Sequence, residues 1–222
     1  SKIMTLFDAH AHYDDRRFDE EFDGGGRGAL LKAHSLGVEY IANIGSSIRT
    51  SENSVALAEE FPFVVAAVGI HPSDAQEIPA TDTDRALARI EELARHEKVR
   101  AIGEIGYDYH WEPVDKERQT YFFDAQMEIA KRAGLPVIIH SCGSSSGSYE
   151  DFIEMGIRGV DTLQPEAVNM SPAYLAEKFG GTVDRDIAKI SDERNTGATI
   201  KARVGREFQF EGDPVKDSIY II

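Results

Sequence analysis

The feature that most constrains this chain is a repeat. Short, almost purely apolar stretches alternate with helix-length segments, and each stretch stops at a polar or glycine-bearing end. The apolar stretches are Thr5–His10, Tyr40–Ile44, Phe63–Ile70, Val99–Ile105 and Leu135–Ile139; the helical patterns between them are Ala29–Leu36, Ser51–Phe61, Thr83–His96 and Asp115–Ala133. In the third helix Leu87, Ile90, Leu93 and Ala94 fall on one face. Strands without polar alternation are covered on both faces, which is the condition of parallel βαβ units. Such units build a TIM-type barrel or a doubly wound sheet. No Gly-x-Gly-x-x-Gly turn follows the first strand, and Gly24-Gly25-Gly26 reads as surface loop. The expected fold is therefore α/β, a TIM-type barrel, as one domain over residues 1–222.

The pattern loosens after the fifth strand. Gly143–Gly147 reads as a flexible loop or linker, Ser148–Met155 as a short helix, Val160–Leu163 as a strand, and Pro172–Phe179 as a helix stopped by Gly180-Gly181. Ala198–Val204 and Glu207–Glu211 alternate like an exposed hairpin around Gly205, and Ser218–Ile222 is a last apolar strand. A chain of 222 residues is short for a barrel of typically about 250. The expected barrel is thus incomplete or irregularly closed, and an unclosed edge offers a route to a dimer.

Charge narrows the partners. With 24 Lys+Arg against 39 Asp+Glu the net charge is −15. Sequence-independent binding along a phosphate backbone needs basic patches, so this balance excludes it, whereas a site in which bound cations supply the positive charge is compatible with it. The single cysteine, Cys142, excludes an internal disulfide framework and fits a reducing, cytoplasmic setting. No apolar run approaches the ~20 residues of a membrane span, and the polar N-terminus does not read as a signal peptide.

The strand ends carry the chemistry. His10 and His12 are two apart at the end of the first strand and so share a face, with Asp8 in the same phase. His71 closes the third strand before Pro72, Glu104 lies between Gly103 and Gly106 on the fourth, and His140 ends the fifth. Singly, each also fits a structural hydrogen bond or a capping acid. In a barrel, however, all these ends converge on one mouth. Imidazole with a carboxylate suits Zn²⁺, Mn²⁺ or a related divalent ion, which implies metal-assisted hydrolysis. His34, His96 and His110 fall on helix or loop surfaces.

At these residues the chain resembles the TatD family of metal-dependent hydrolases over positions 4–141. The motifs are FDAHAHYDD (7–15), VGIHPSDA (68–75), AIGEIGYDYH (101–110) and LPVIIHS (135–141). The resemblance implies a barrel with one or two divalent ions (Zn, Mn or Mg) and phosphodiesterase activity of DNA 3′-5′ exonuclease type. It also implies that His10 and His12 ligate one ion, Glu104 is shared or bridging, His140 ligates the second ion, and His71 contacts the substrate phosphate. Glu104, His71 and Asp8 are then the groups expected to carry catalysis, on a short DNA end as substrate. The family's further His and its late Asp have no evident counterparts: all seven histidines lie at or before position 140, and Asp161, Asp184 and Asp186 stand in no supporting motif. Weak hydrolysis is therefore expected.

Residues 140–181 resemble the uroporphyrinogen decarboxylase and corrinoid methyltransferase group, through HSCG (140–143) and the stretch EDFIEMGIRGVDTLQPEAVNMSPAYLAEKFGG (150–181). Two alternatives to the hydrolase follow. One is a non-catalytic hybrid or engineered barrel with segments 1–141, 142–181 and an unassigned 182–222. The other is a zinc-dependent methyl transfer protein using His140 and Cys142.

Overall fold

The computed structural model describes residues 6–179, apart from Glu112, Cys142, Arg158, Thr162 and Leu163, together with 220–221. The expected strands at Ala198–Val204 and Glu207–Glu211, and Cys142, Asp184 and Asp186, lie outside the described residues. The chain divides into two compact units, residues 1–135 and 136–222.

The first unit runs β1 (Leu6–Ala11), α1 (Arg17–Glu21), α2 (Gly25–Ser35), β2 (Val38–Ile44), α3 (Ile48–Glu60), β3 (Val64–Val68), α4 (Pro72–Glu77), α5 (Thr83–Leu93), β4 (Val99–Gly106) and α6 (Lys116–Ala133). Its strands pair in chain order and all in parallel. Ile41 lies beside Val64, and Val68 beside Ile102. Ile41, Ile44, Val64, Val68, Ile102 and Ile105 are buried, as are Leu30, Ile90, Phe122 and Ile129 on the helices. Burial on both faces is why these strands read as unbroken apolar runs.

The helix ends follow local chemistry. Ser47 caps α3 in a reciprocal box with Thr50. The Asp115 carboxylate accepts from the Arg118 N–H at the start of α6, and Gly134, at φ 67°, closes that helix in the left-handed region.

The second unit contains β5 (Val137–His140), α7 (Tyr149–Glu154), β6 (Gly159–Asp161), α8 (Pro172–Phe179) and β7 (Tyr220–Ile221), again with parallel neighbours in chain order. Both units thus use the strand–helix repeat of a TIM-type barrel, the α/β class expected, and the described residues stop short of eight repeats.

Two local expectations are corrected. Gly24-Gly25-Gly26 is not a surface loop: Gly25 and Gly26 open α2, and Gly24 precedes them at φ 81°. A Cβ on Gly26 would collide with the Tyr13 carbonyl oxygen, so the glycine lets the helix approach the loop that follows β1. Within Gly143–Gly147, expected to be a flexible loop or linker, residues 145–147 begin a short 3-10 turn (Ser145–Ser148) with Ser146 buried and the Ser145 hydroxyl donating to the Ser141 carbonyl.

Among the described residues no helix is long and apolar enough to cross a membrane.

Candidate metal centre

The C-terminal ends of β1 and β4 bring three donors together. His10, His12 and Glu104 offer ligand atoms that all lie within 4.8 Å of one another. His10 Nε2 is 3.0 Å from His12 Nε2 and 3.4 Å from Glu104 Oε2. Tetrahedral bonds of about 2.0–2.1 Å from nitrogen and oxygen put donors about 3.3 Å apart, so the spacing fits a divalent ion. Glu104 is only 8% exposed, which removes much of the water that would compete for its carboxylate.

A backbone contact orients one of these donors. His12 Nδ1 donates to the Ile44 carbonyl at 2.9 Å. A carbonyl only accepts, so the proton of neutral His12 sits on Nδ1 and the Nε2 lone pair faces the cluster. His71 has the opposite arrangement. Its Nδ1 accepts from the Ser73 N–H at 3.2 Å, which leaves the proton of the neutral ring on Nε2, 3.8 Å from Glu104 Oε1. His12 therefore turns a lone pair toward the cluster, whereas His71 turns an N–H toward it.

Asp8 stands apart from the three-donor group, accepting a hydrogen bond from the Tyr13 hydroxyl at 3.4 Å. Burial first, then the neighbouring Asp8 charge and that hydrogen bond, push the Tyr13 hydroxyl up to about 12. His140 ends β5 in the second unit and is half-buried. Asp161 ends β6. His34, His96 and His110 lie away from the cluster: His34 stacks on Phe63 at 3.7 Å, His96 pairs with Glu59 at 3.0 Å, and His110 is exposed.

Several residues that sequence reasoning passed over hold the site in place. Buried Asn43 on β2 accepts from the Tyr13 N–H at 2.7 Å and donates to Asp14 and to Ser54, pinning the chain just after His12. The Ser51 hydroxyl on α3 bridges both backbone groups of Gly69 at 3.1 Å. Two buried glutamines on α6 do the same on a larger scale. Gln126 accepts from the Ile70 N–H at 2.7 Å and donates to the Ile70 carbonyl at 3.1 Å, one residue before His71. Gln119 accepts from the Asp108 N–H at 2.9 Å and donates to its carbonyl at 2.7 Å. Asp108 and His71 in turn carry ligand atoms within 4.8 Å of each other. The available sequence signal was that Gln119 and Gln126 share the stripe of α6 that buries Phe122, Ile129 and Ala130.

Asp74, in the first turn of α4, is pushed up to about 6 by burial, then by Glu77; Arg49 opposes the shift, and Glu104 adds to it.

The chain is similar to known metal-dependent hydrolases. The chain is 39% identical over 136 residues to the uncharacterized metal-dependent hydrolase YabD of Bacillus subtilis (strain 168), covering 61% of this chain and 50% of that protein. It is 30% identical over 135 residues to the 3′-5′ ssDNA/RNA exonuclease TatD of Cronobacter sakazakii, covering 61% of this chain and 48% of that protein. The chain thus spans about half the length of the curated relatives it matches. The crystal structure of YjjV, a TatD homolog from Escherichia coli K12, superposes with a TM-score of 0.61 at 26% identity, over 79% of this chain and 75% of that one. The sequence profile of TatD related DNase matches residues 7–160, running past His140-Ser141, where a second family was expected to begin. On the strength of that match, the chain belongs to the TatD related DNase family.

Proposed function

We propose that this chain is a divalent-metal-dependent phosphodiesterase acting at polynucleotide ends, as the exonucleases among its relatives are named to do. The observation that carries the reading is the convergence of His10, His12 and Glu104 within 4.8 Å, with the protonated Nε2 of His71 facing the same carboxylate. When bound, a divalent ion supplies Lewis acidity toward a phosphoryl oxygen and a nucleophile at neutral pH. His12, locked by Ile44, and His10 would hold that ion, and Glu104 would add a carboxylate already stripped of most water. His71 donates from Nε2 to a non-bridging phosphate oxygen and so aligns the ester. Asp8 contributes a further carboxylate on the same strand, held by the Tyr13 hydroxyl.

One barrel domain in a reducing, cytoplasmic setting goes with this reading; the single cysteine supports the setting. The match through residue 160 favours one hydrolase family over a hybrid of two. On donor chemistry the two imidazoles favour Zn²⁺ or Mn²⁺ over Mg²⁺, which prefers oxygen ligands.

Hydrolysis of bis-p-nitrophenyl phosphate with added Mn²⁺ tests the reading. Both His10→Ala and Glu104→Ala are expected to bring the rate down to background. Equal rates in the parent chain and both variants would overturn it, as would the absence of any bound ion on elemental analysis.

A further inference from the structure

Beyond Glu104, β4 runs out at Gly106 into a loop bearing Tyr107, Asp108, Tyr109, His110 and Trp111. Tyr109 and Trp111 are 49% and 68% exposed. Tyr109 is nonetheless braced, and Trp111 has a ring neighbour. Tyr107 packs against buried Phe123 of α6 with centroids 4.9 Å apart and meets Tyr109 at 5.9 Å. The Lys116 ammonium sits 4.8 Å from the centre of the Tyr109 ring. Trp111 meets His110 edge-on at 4.6 Å, and the His110 N–H donates to the Asp108 carboxylate at 2.9 Å. Phe123, Tyr107 and Tyr109 thus lead from the core to the surface, and His110 and Trp111 form a second ring pair in the same loop, beside Asp108, which Gln119 holds next to His71.

With a net charge of −15, the chain has little means of tracking a polynucleotide backbone by charge. Stacking on aromatic rings uses the faces of the bases instead, is tolerant of sequence, and works only on bases that are not already stacked within a duplex. We propose that Tyr109 and Trp111 form a stacking platform for the bases of a single-stranded polynucleotide whose terminal phosphodiester lies at the His10–His12–Glu104 cluster. The platform rests on the phosphodiesterase reading. The cation beside Tyr109 leaves one positive charge for the neighbouring phosphate.

Trp111 is the chain's single tryptophan, so its fluorescence reports on this loop alone. The test mixes the full chain and Mn²⁺ with short oligothymidylate, or with an abasic strand of the same length. Emission is read at once, and cleavage is followed in parallel. Oligothymidylate is expected to quench Trp111 saturably and the abasic strand not to. Trp111→Ala is expected to raise KM for oligothymidylate about tenfold, and Trp111→Phe to restore most of that loss. Equal or absent quenching with the two strands overturns the platform, as does an unchanged KM in Trp111→Ala. Cleavage without quenching removes the platform and leaves the phosphodiesterase reading standing. Quenching by oligothymidylate alone, without cleavage, supports the platform and removes that reading.

Discussion

His12 donates its Nδ1 proton to the carbonyl of Ile44, 32 residues away, across 2.9 Å. This one contact decides which imidazole nitrogen is left to hold a metal ion. It can be separated from ligation, because an asparagine amide nitrogen takes the place of Nδ1 but nothing takes the place of Nε2. His12→Asn is expected to keep stability within about 0.5 kcal/mol of the parent, while His12→Ala loses about 1 kcal/mol with the hydrogen bond. Both variants are expected to lose Mn²⁺ or Zn²⁺ binding. Calorimetric titration and urea melts check the two halves independently.

Gln126 satisfies both backbone groups of Ile70 in a buried setting, so truncating it leaves an N–H and a C=O unpaired. Gln126→Ala is expected to cost about 2–4 kcal/mol in urea melts. It is also expected to lower kcat/KM through displacement of His71, with metal stoichiometry unchanged because His10, His12 and Glu104 do not depend on this contact. Loss of the metal together with the rate would show that Gln126 supports the whole site rather than the His71 loop.

Asp74 gives a pH dependence with a definite sign. Its folded value, about 6, lies above the ordinary 3.8. The folded chain therefore keeps a proton that the unfolded chain releases between those values. The stability from this group is fully present below about pH 4 and is lost as pH rises through 6. In metal-free protein, Asp74→Asn is expected to be more stable than the parent at pH 7 by about 1 kcal/mol after allowance for solvent screening, and indistinguishable at pH 4. Thermal melts across that range check it; a constant difference at every pH would reject the assignment.

Gly45 ends β2 directly against α3. A Cβ there would come within 2.6 Å of the Ser51 Cα. Gly45→Ala is expected to destabilise by about 1–3 kcal/mol. A second change, Ser51→Ala, is not expected to rescue it, because the clash is with the helix backbone. Full rescue in the double variant would place the conflict in the hydroxyl instead.

The parts legible in the sequence were those whose chemistry is local. Strands buried on both faces show as continuous apolar runs, so β1 to β5 were found to within a few residues at each end. His10, His12, His71 and Glu104 stand out because a polar group that closes such a run has few structural reasons to be there. What escaped notice depends on distant partners. Helix α1 buries no residue, so no apolar stripe marks it, and α4 begins on a proline directly after His71. Gln126 is 56 residues from the backbone it serves, and on a helical wheel its polarity reads only as a gap in the apolar stripe. Asp108 reads as one more loop acid until the fold sets it beside His71.

The two glutamine clamps on α6 are seven residues apart, about 10.5 Å along the axis and nearly in line at 3.6 residues per turn. The helix therefore acts as a ruler, its pitch fixing the distance between the anchor points behind His71 and Asp108. Inserting one residue between positions 119 and 126 would swing one amide about 100° off the buried face, whereas inserting a full seven would keep both amides facing inward and only lengthen the gap. The permitted steps between the two anchor points are thus set by helical phase, and small continuous adjustments are not available to them.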